Sequence, residues 1–408
     1  MRVLLDDLLF ALSMALDFVE AELLGTTSNH GKRTALVSAR ICRALGMSDI
    51  DIFDMACCAI LHDSALTAYM LEAGPGDIRR LEGFRNHCVI GEQNALAFPF
   101  AGDATGIVLH HHENWNGSGF HQLEGDAIPL RAAVLRLADN MDLVLRMGDG
   151  RAGLAEEIRA HAPRHAGTLY SPGVVDALLG ILDASCVADL ADENIDAALD
   201  REIPAVRVEM NTEQMLWVCE IFAFIIDAKS PFTRSHSSGI AHKARCLAPY
   251  FGLEGEERNK LVIAAYLHDV GKLSTPLAIL EKPGKLTDDE YTVMRRHVAV
   301  THAILCQVEG LEDICRWGSN HHEKLNGCGY PKGFDSSTLD MQSRILACCD
   351  IYQALTESRP YRKGMSHAQA MDIMNSMVTA GELDGRVVTT VGQVFECIPD
   401  PVAEQATL

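Results

Sequence analysis

Residues 258–273, RNKLVIAAYLHDVGKL, place a run of apolar side chains directly before the polar pair His268-Asp269. A similar stretch at 51–63, DIFDMACCAILHD, ends in His62-Asp63. In both stretches the apolar residues recur at helical spacing, and alternating strand patterns are scarce throughout the chain. The pattern predicts helices, and it predicts an all-α protein.

The similarity of the two stretches extends along the whole chain. HHENWNGSGF at 111–120 recurs as HHEKLNGCGY at 321–330. Self-similarity of this kind indicates internal duplication. Corresponding residues keep a nearly constant offset, which is 206 for His30 and His236 (236 − 30) and 211 for Asp139 and Asp350 (350 − 139).

Two tandem helical bundles follow from this duplication, and 408 residues are enough for both. We expect the first domain over 1–199 and the second over 212–408. The segment 200–211 is predicted to be the linker, because Pro204 and alternating valines interrupt the helical pattern there.

The composition restricts the partners of this protein. It has 35 Lys plus Arg against 56 Asp plus Glu, a formal net charge of −21. Such a chain repels polyphosphate backbones, so polymeric nucleic acid and membrane surfaces are not expected partners. Aspartates within the opening MRVLLDDLLF argue against a signal peptide, and no apolar run is long enough to span a membrane. A soluble cytoplasmic protein is expected.

The 13 cysteines include no C-x-x-C pair. The adjacent pairs Cys57-Cys58 and Cys348-Cys349 lie within apolar stretches, where cysteine behaves as a small buried hydrophobe. We therefore predict free structural cysteines rather than disulfides or a thiolate metal site.

The second copy carries five histidines and two aspartates at intervals compatible with metal ligands that line one bundle. They are His236, His268, Asp269, His297, His321, His322 and Asp350. Burying so many polar groups without a partner is costly. The set is too large for one tetrahedral zinc and suits two octahedral first-row ions, which Asp269 could bridge. Two such ions activate water and neutralise phosphate oxygens, so the set predicts hydrolysis of a phosphate ester or diester.

Four motifs in this half resemble the HD-GYP domain, a branch of the HD phosphohydrolase superfamily. They are HDVGKL at 268–273, KPGKLTDDE at 282–290, HHEKLNGCGYP at 321–331 and DIYQALTESRPYR at 350–362. Their order and spacing follow the family over essentially the whole second half. The resemblance implies an α-helical bundle that hydrolyses cyclic di-GMP at a di- or trinuclear centre, usually of iron or manganese. Some members of the family prefer 3′,3′-cyclic GMP-AMP.

The resemblance also implies a role for each matching residue. One metal would be bound by His236, His268, Asp269 and Asp350. Asp269 would bridge to a second metal, bound by His297, His321 and His322. Lys272 would contact the scissile phosphate, so Lys272 and Asp269 are the expected catalytic residues. The expected substrate contacts are Lys272, Tyr330, Arg359 and Arg362. Phe232 stands where members with three metals have a glutamate, so two ions, of iron or manganese, are expected here.

The first copy keeps a complete candidate ligand set for a second metal pair: His30, His62, Asp63, His87, His111, His112 and Asp139. It has Leu66 in place of the lysine and Gly119-Phe120-His121 in place of Gly-Tyr-Pro. Gly148 and Arg151 fall at the two arginine positions. This degenerate copy could be a regulatory or docking domain with structural metals, a phosphohydrolase for another substrate, or a weak second active site. We favour the first reading, in which it could mediate a homodimer or bind a signalling partner.

The expected function is metal-dependent hydrolysis of a cyclic dinucleotide, from cyclic di-GMP to linear pGpG, with further cleavage to GMP left open. Cyclic GMP-AMP is the alternative substrate, and a non-catalytic dinucleotide receptor is the alternative class. The retained Lys272, Tyr330 and seven ligands argue against a receptor, which has no need of activated water. An HD-type mononucleotidase is a third alternative, against which the Gly-Tyr-Pro and RPYR elements argue.

Overall fold

The computed structural model describes residues 1–67, 85–149, 151–230, 236–358 and 363–396. The chain divides into two compact units, one of residues 4–209 and one of residues 210–408 together with 1–3. The described residues are mainly helical, and their only strands are β1 (Val3–Leu4) and β2 (Glu209–Met210), which pair with each other. The predicted all-α class is confirmed.

Nine α-helices are described in the first unit. They are α1 (Leu5–Leu24), α2 (His30–Ala44), α3 (Asp49–Leu61), α4 (Asn86–Leu96), α5 (Leu130–Leu145), α6 (Leu154–His161), α7 (Pro172–Ile181), α8 (Ala184–Ala188) and α9 (Ile195–Glu202). Short 3₁₀ turns lie at Gly125–Ala127, Met147–Asp149 and Ala162–His165. The last helix therefore extends three residues into the segment predicted to be the linker, and it ends just before Pro204.

Nine α-helices are also described in the second unit. Its helices are α10 (Thr212–Asp227), α11 (His236–Leu247), α12 (Gly255–Leu267), α13 (Leu277–Leu280), α14 (Asp288–Leu305), α15 (Glu312–Ser319), α16 (Met341–Thr356), α17 (His367–Thr379) and α18 (Gly385–Phe395). Its 3₁₀ turns are Ala248–Phe251 and Val270–Ser274.

Side-chain caps fix where several of these helices begin. Asn211, Thr287 and Ser366 each form a capping box with the residue three positions on, at the starts of α10, α14 and α17. Ser48 accepts a hydrogen bond from the amide of Asp51 at the start of α3. Asp340 caps α16 in the same way, through the amide of Ser343. Each cap satisfies an amide that the first turn leaves unpaired.

Buried apolar helices form the core of each unit. In α3 every residue from Ile52 to Leu61 is buried, and in α12 every residue from Leu261 to Leu267 is buried. Each of these helices ends directly before its histidine–aspartate pair. The polar pair therefore follows the buried end of its helix in each copy.

The cysteines follow the prediction in part. Both adjacent pairs, Cys57-Cys58 and Cys348-Cys349, are free and buried. The expectation that no disulfide forms is wrong, since Cys306 and Cys315 are joined, with their Cα atoms 5.7 Å apart. The end of α14 turns back onto α15, which brings the two residues within bonding distance. Among the described residues, no helix has both the length and the apolar character needed to cross a membrane.

Candidate metal centres

Five helices bring the predicted ligands of the second copy into one cluster. His236 begins α11, and the pair His268-Asp269 follows α12. His297 lies within α14, and the pair at 321–322 follows α15. Asp350 lies in the last half of α16. The structure brings together all seven residues that the sequence singled out.

Asp269 lies between the two groups of histidines. Its Oδ2 is 3.1 Å from Nε2 of His268 and 3.8 Å from Nε2 of His236. Its Oδ1 is 3.4 Å from Nε2 of His297 and 3.8 Å from Nε2 of His321. A carboxylate whose two oxygens serve different ligand groups has the arrangement of a bridge between two cations.

Asp350 and His322 complete the two groups. Oδ1 of Asp350 is 3.2 Å from Nε2 of His236, and its Oδ2 is 3.8 Å from Nδ1 of His322. The ligand atoms of His297, His321 and His322 lie within 4.8 Å of one another. The two groups are thus His236, His268 and Asp350 on one side of Asp269, and the other three histidines on the other side.

Backbone hydrogen bonds orient three of these imidazoles. Nδ1 of His268, His297 and His321 lies 2.6–2.7 Å from the carbonyl three residues earlier. This contact makes Nδ1 the protonated donor and leaves the Nε2 lone pair toward Asp269. Each of the three buried Nε2 atoms, like Oδ1 of Asp269, has no hydrogen-bond partner among the described residues. Such orphaned acceptors fit a pair of divalent cations.

Three of the ligands have charge states that suit metal binding, whereas at His236 the hydrogen bonds to Asp350 and Glu357 outweigh burial and raise its pKa to about 10. Burial lowers the pKa of His297 to about 4 and that of His322 to about 3, so both imidazoles are neutral at pH 7. Burial disfavours the charged form of Asp269, but His268 and Lys272 outweigh it and hold the pKa of this carboxyl well below its usual value. Neutral imidazole and ionised carboxylate are the forms that bind metals.

Lys272 lies at the entrance of the site. Its ammonium group donates to Oδ2 of Asp269, the oxygen that faces His236 and His268. Its side chain is 19% exposed, more than that of any ligand named above except His322. A cationic group on this oxygen is further evidence that the position favours positive charge.

The Gly-Tyr-Pro loop packs against the same site. A Cβ atom on Gly329 would lie 2.4 Å from the backbone nitrogen of Lys324, so only glycine fits. Glu323 holds the loop, because its carboxylate accepts hydrogen bonds from the amides of Lys332 and Phe334 at 2.7 and 3.0 Å. The Tyr330 ring lies 4.8 Å from the ring of His322 at an angle of 36°. The loop thereby places an aromatic surface beside the ligands.

Three residues of the sequence analysis lie outside the described residues. They are Phe232, at the position of the third-metal glutamate, and the substrate contacts Arg359 and Arg362.

Two residues near the site escaped the sequence analysis. Oε2 of Glu357 is 3.1 Å from Nδ1 of His236, so Glu357 orients this ligand from behind. The guanidinium of Arg295 lies over the Tyr330 ring, 4.3 Å from its centre. Glu357 is seven residues beyond Asp350 and Arg295 two before His297. Proximity to a ligand in sequence was the one available signal, and it does not distinguish them from their charged neighbours.

The first copy assembles its ligand set in the same way. Oδ1 of Asp63 is 3.4 Å from Nε2 of His87 and 3.5 Å from Nε2 of His111, and its Oδ2 is 3.5 Å from Nε2 of His62. Oδ1 of Asp139 is 3.3 Å from Nε2 of His30. His112 packs beside His111, with ring centres 4.0 Å apart. All seven predicted residues come together here as well.

The substrate side of the first copy is different. Leu66 is fully buried at the lysine position, and Phe120 packs edge-on against His112. Arg151 hydrogen-bonds to Glu157, with its Nε 3.2 Å from Oε1, and to the carbonyl of Arg146. The copy thus retains the ligand geometry, while the groups expected to contact phosphate are replaced or otherwise engaged.

The comparisons with known proteins agree with this duplicated geometry. Models described as HD domain match residues 27–143 and 220–387. A 3′,3′-cGAMP-specific phosphodiesterase 1 of Vibrio cholerae is 30% identical over 94% of this chain and 90% of its own length. A cyclic di-GMP phosphodiesterase of Pseudomonas aeruginosa is 34% identical over 54% of this chain and 51% of its own.

The crystal structure of a cyclic GMP-AMP-specific phosphodiesterase of V. cholerae, V-cGAP3, has the same fold. It superposes with a TM-score of 0.70 at 23% identity, covering 98% of this chain and 99% of that one. With both HD domains matched and a relative that aligns along nearly the full length of both chains, the protein belongs to the HD-GYP family of metal-dependent phosphodiesterases, as a tandem of two HD-type domains.

Proposed function

We propose that the second copy hydrolyses a 3′,3′-cyclic dinucleotide at a dinuclear metal centre, and that the first copy is not catalytic. The observation that carries this proposal is the position of Asp269, whose two oxygens face two separate groups of imidazoles. Imidazole and carboxylate ligands suit iron or manganese. When bound, two such cations supply an activated water and neutralise charge on the phosphate.

The protein's own contribution is positioning and charge. Lys272 is near enough to Asp269 to reach a phosphoryl oxygen beside the centre, where its ammonium group can donate a hydrogen bond or protonate the leaving oxygen. Tyr330 and Arg295 form a stacked pair next to His322. This pair offers a suitable surface for a base and its phosphate. Arg359 and Arg362 remain proposed phosphate contacts, since arginine forks match phosphate oxygens.

Of the two candidate substrates, 3′,3′-cyclic GMP-AMP is favoured over cyclic di-GMP. Two V. cholerae relatives that are named for specificity toward cyclic GMP-AMP align with 94% and 78% of this chain, so their similarity extends over both copies. The cyclic di-GMP phosphodiesterase of P. aeruginosa aligns with 54%. The similarity to these two cyclic GMP-AMP enzymes thus includes the first copy.

Anaerobic purification with metal analysis, followed by product analysis on both cyclic dinucleotides, tests this function. We expect linear dinucleotide from cyclic GMP-AMP at the higher rate, and no product from the Asp269→Ala variant. Faster cleavage of cyclic di-GMP would reverse the substrate preference. Binding of either dinucleotide without any cleavage by the metal-loaded protein would instead indicate a receptor.

A further inference from the structure

A buried glutamate of α1 lies beside the ligand cluster of the first copy. Oε2 of Glu20 is 3.9 Å from Nε2 of His30, and the carboxylate interacts electrostatically with His62 and Asp63. Glu20 is only 1% exposed, and Oε2 has no hydrogen bond among the described residues. A buried carboxylate oxygen without a hydrogen bond is costly, and a cation beside it would remove that cost.

Nε2 of His30, the atom that Glu20 approaches, belongs to a cluster of metal-ligand type. The ligand atoms of His30, His62 and Asp139 lie within 4.8 Å of one another. Nδ1 of His30 is 2.7 Å from Asp142, and Nδ1 of His62 is 2.8 Å from a backbone carbonyl, so both rings are fixed from behind. Their Nε2 atoms have no hydrogen-bond partner in the described part of the chain. Two imidazoles and two carboxylates suit a first-row divalent ion.

Glu20 distinguishes the first copy from the second. Asp17 and Asp227 correspond to each other, because each accepts a hydrogen bond of 3.0 Å from the amide that follows the first ligand histidine of its copy. Glu20 lies one helical turn beyond Asp17 on α1. In the second copy the helix α10 ends at Asp227 itself. Glu20 therefore lies on a helical turn of the first copy that α10 lacks.

We propose that the first copy binds a divalent metal ion of its own, with Glu20 as the ligand that closes the coordination sphere around His30, His62 and Asp139. Catalytic metal sites keep a position open for water or substrate, whereas structural sites fill it with protein ligands. The extra carboxylate, together with buried Leu66 in place of the lysine, makes this a closed site. Its metal stabilises the first domain and takes no part in hydrolysis.

Manganese binding to the full-length chain tests this site. The protein is stripped with a chelator, reloaded with Mn²⁺ and assayed for metal content and affinity. Glu20→Gln keeps the side-chain shape but removes the charge, and Glu22→Gln, at an exposed position on the same helix, is the matched control. We expect Glu20→Gln to weaken one Mn²⁺ site at least about tenfold, as loss of supporting groups around a metal typically does. Equal content and affinity in all three proteins would overturn the proposal.

Double variants locate the affected ion. In an Asp139→Asn chain, Glu20→Gln should cause no further loss of Mn²⁺ affinity, because both residues serve the same ion. In an Asp269→Asn chain, Glu20→Gln should weaken Mn²⁺ binding as much as it does in the wild-type chain, since Asp269 belongs to the other copy. The opposite dependence would assign the effect of Glu20 to the second copy and refute the proposal.

Two further measurements test stabilisation and closure. In the wild-type chain, Mn²⁺ should slow hydrogen exchange in peptides from α1 and α2, and this experiment does not depend on any variant folding. Absence of protection there would exclude the site. In the Asp269→Asn chain, water-proton relaxation by bound Mn²⁺ should rise when Glu20→Ala admits water. Unchanged relaxation would show that Glu20 does not close the site.

Discussion

Oδ1 of Asp269 lies 3.4 Å from Nε2 of His297, while the other oxygen of the same carboxylate faces His236 and His268. The corresponding oxygen of Asp63 lies 3.4 Å from His87. The duplicated chain therefore repeats this carboxylate arrangement. Among the described residues, Lys272 lies beside the second carboxylate, whereas Leu66 stands at the corresponding position of the first copy.

Loss of the bridge should separate the two copies. We expect Asp269→Ala to abolish hydrolysis, because it removes the group shared by both sets of ligands. Asp63→Ala should leave most of the activity, although it weakens metal binding in the first copy. Rates on cyclic GMP-AMP, with metal content measured in the same preparations, check this. Equal damage by both substitutions would contradict the assignment of catalysis to the second copy.

Lys272 should act on the reaction rather than on the fold. Lys272→Ala should reduce the rate by about 10²–10⁴, the usual contribution of a positioned proton donor. Metal content and melting temperature should stay close to those of the wild type, since the side chain is partly exposed. Single-turnover rates and elemental analysis measure the two effects. Loss of metal in this variant would show that Lys272 mainly supports Asp269.

Arg295 should affect substrate affinity. We expect Arg295→Ala to raise KM about tenfold, because it removes the stacking on Tyr330 and a charged contact to the substrate. A tenfold change corresponds to the loss of about 1.5 kcal/mol of charge-assisted hydrogen bonding. Arg296→Ala is the matched control, because Arg296 is the exposed neighbour of Arg295 on the same helix. If the two variants have the same KM, Arg295 does not contact the substrate.

Glu357 should support metal binding through His236. Glu357→Gln weakens the partner of Nδ1 and should reduce the affinity of one metal by about 10- to 100-fold. Competition with a chelator at pH 7 measures this affinity. Excess metal should then restore the rate, which distinguishes a positioning residue from a catalytic one. A variant that binds metal normally but remains slow would point to a direct role.

Asp340 should stabilise the helix that carries Asp350. It caps α16 and also accepts a hydrogen bond of 2.9 Å from Trp317. We expect Asp340→Ala to lower the free energy of unfolding by about 1–2 kcal/mol at pH 7. Burial opposes ionisation of Asp340, but the hydrogen bonds from Ser343 and Trp317 outweigh it and hold its pKa below 3.8.

The sign of this shift sets the pH dependence. A lowered pKa in the folded state stabilises the protein above pH 3.8, and that contribution is lost as the pH falls through the folded-state pKa. The difference between wild type and Asp340→Ala should therefore shrink below pH 4. Urea unfolding at pH 7 and pH 3 measures it, with Asp340→Asn as the variant that keeps an acceptor without the charge. A constant difference across this range would mean that the carboxylate contributes nothing through its charge.

The sequence by itself determined the all-α class, the duplication and the candidate ligands of both copies. Apolar periodicity encodes a buried helix locally, and metal chemistry restricts ligands to a few residue types, so His268-Asp269 and its counterparts stand out in the linear chain. Only the tertiary structure decided which other groups face these ligands. Glu20, Glu357 and the Cys306–Cys315 bond act through contacts between separate segments, and no local pattern records them. The sequence shows a glutamate in α1 but does not show whether its side chain faces water or His30. Only the packing of the bundle distinguishes the two environments.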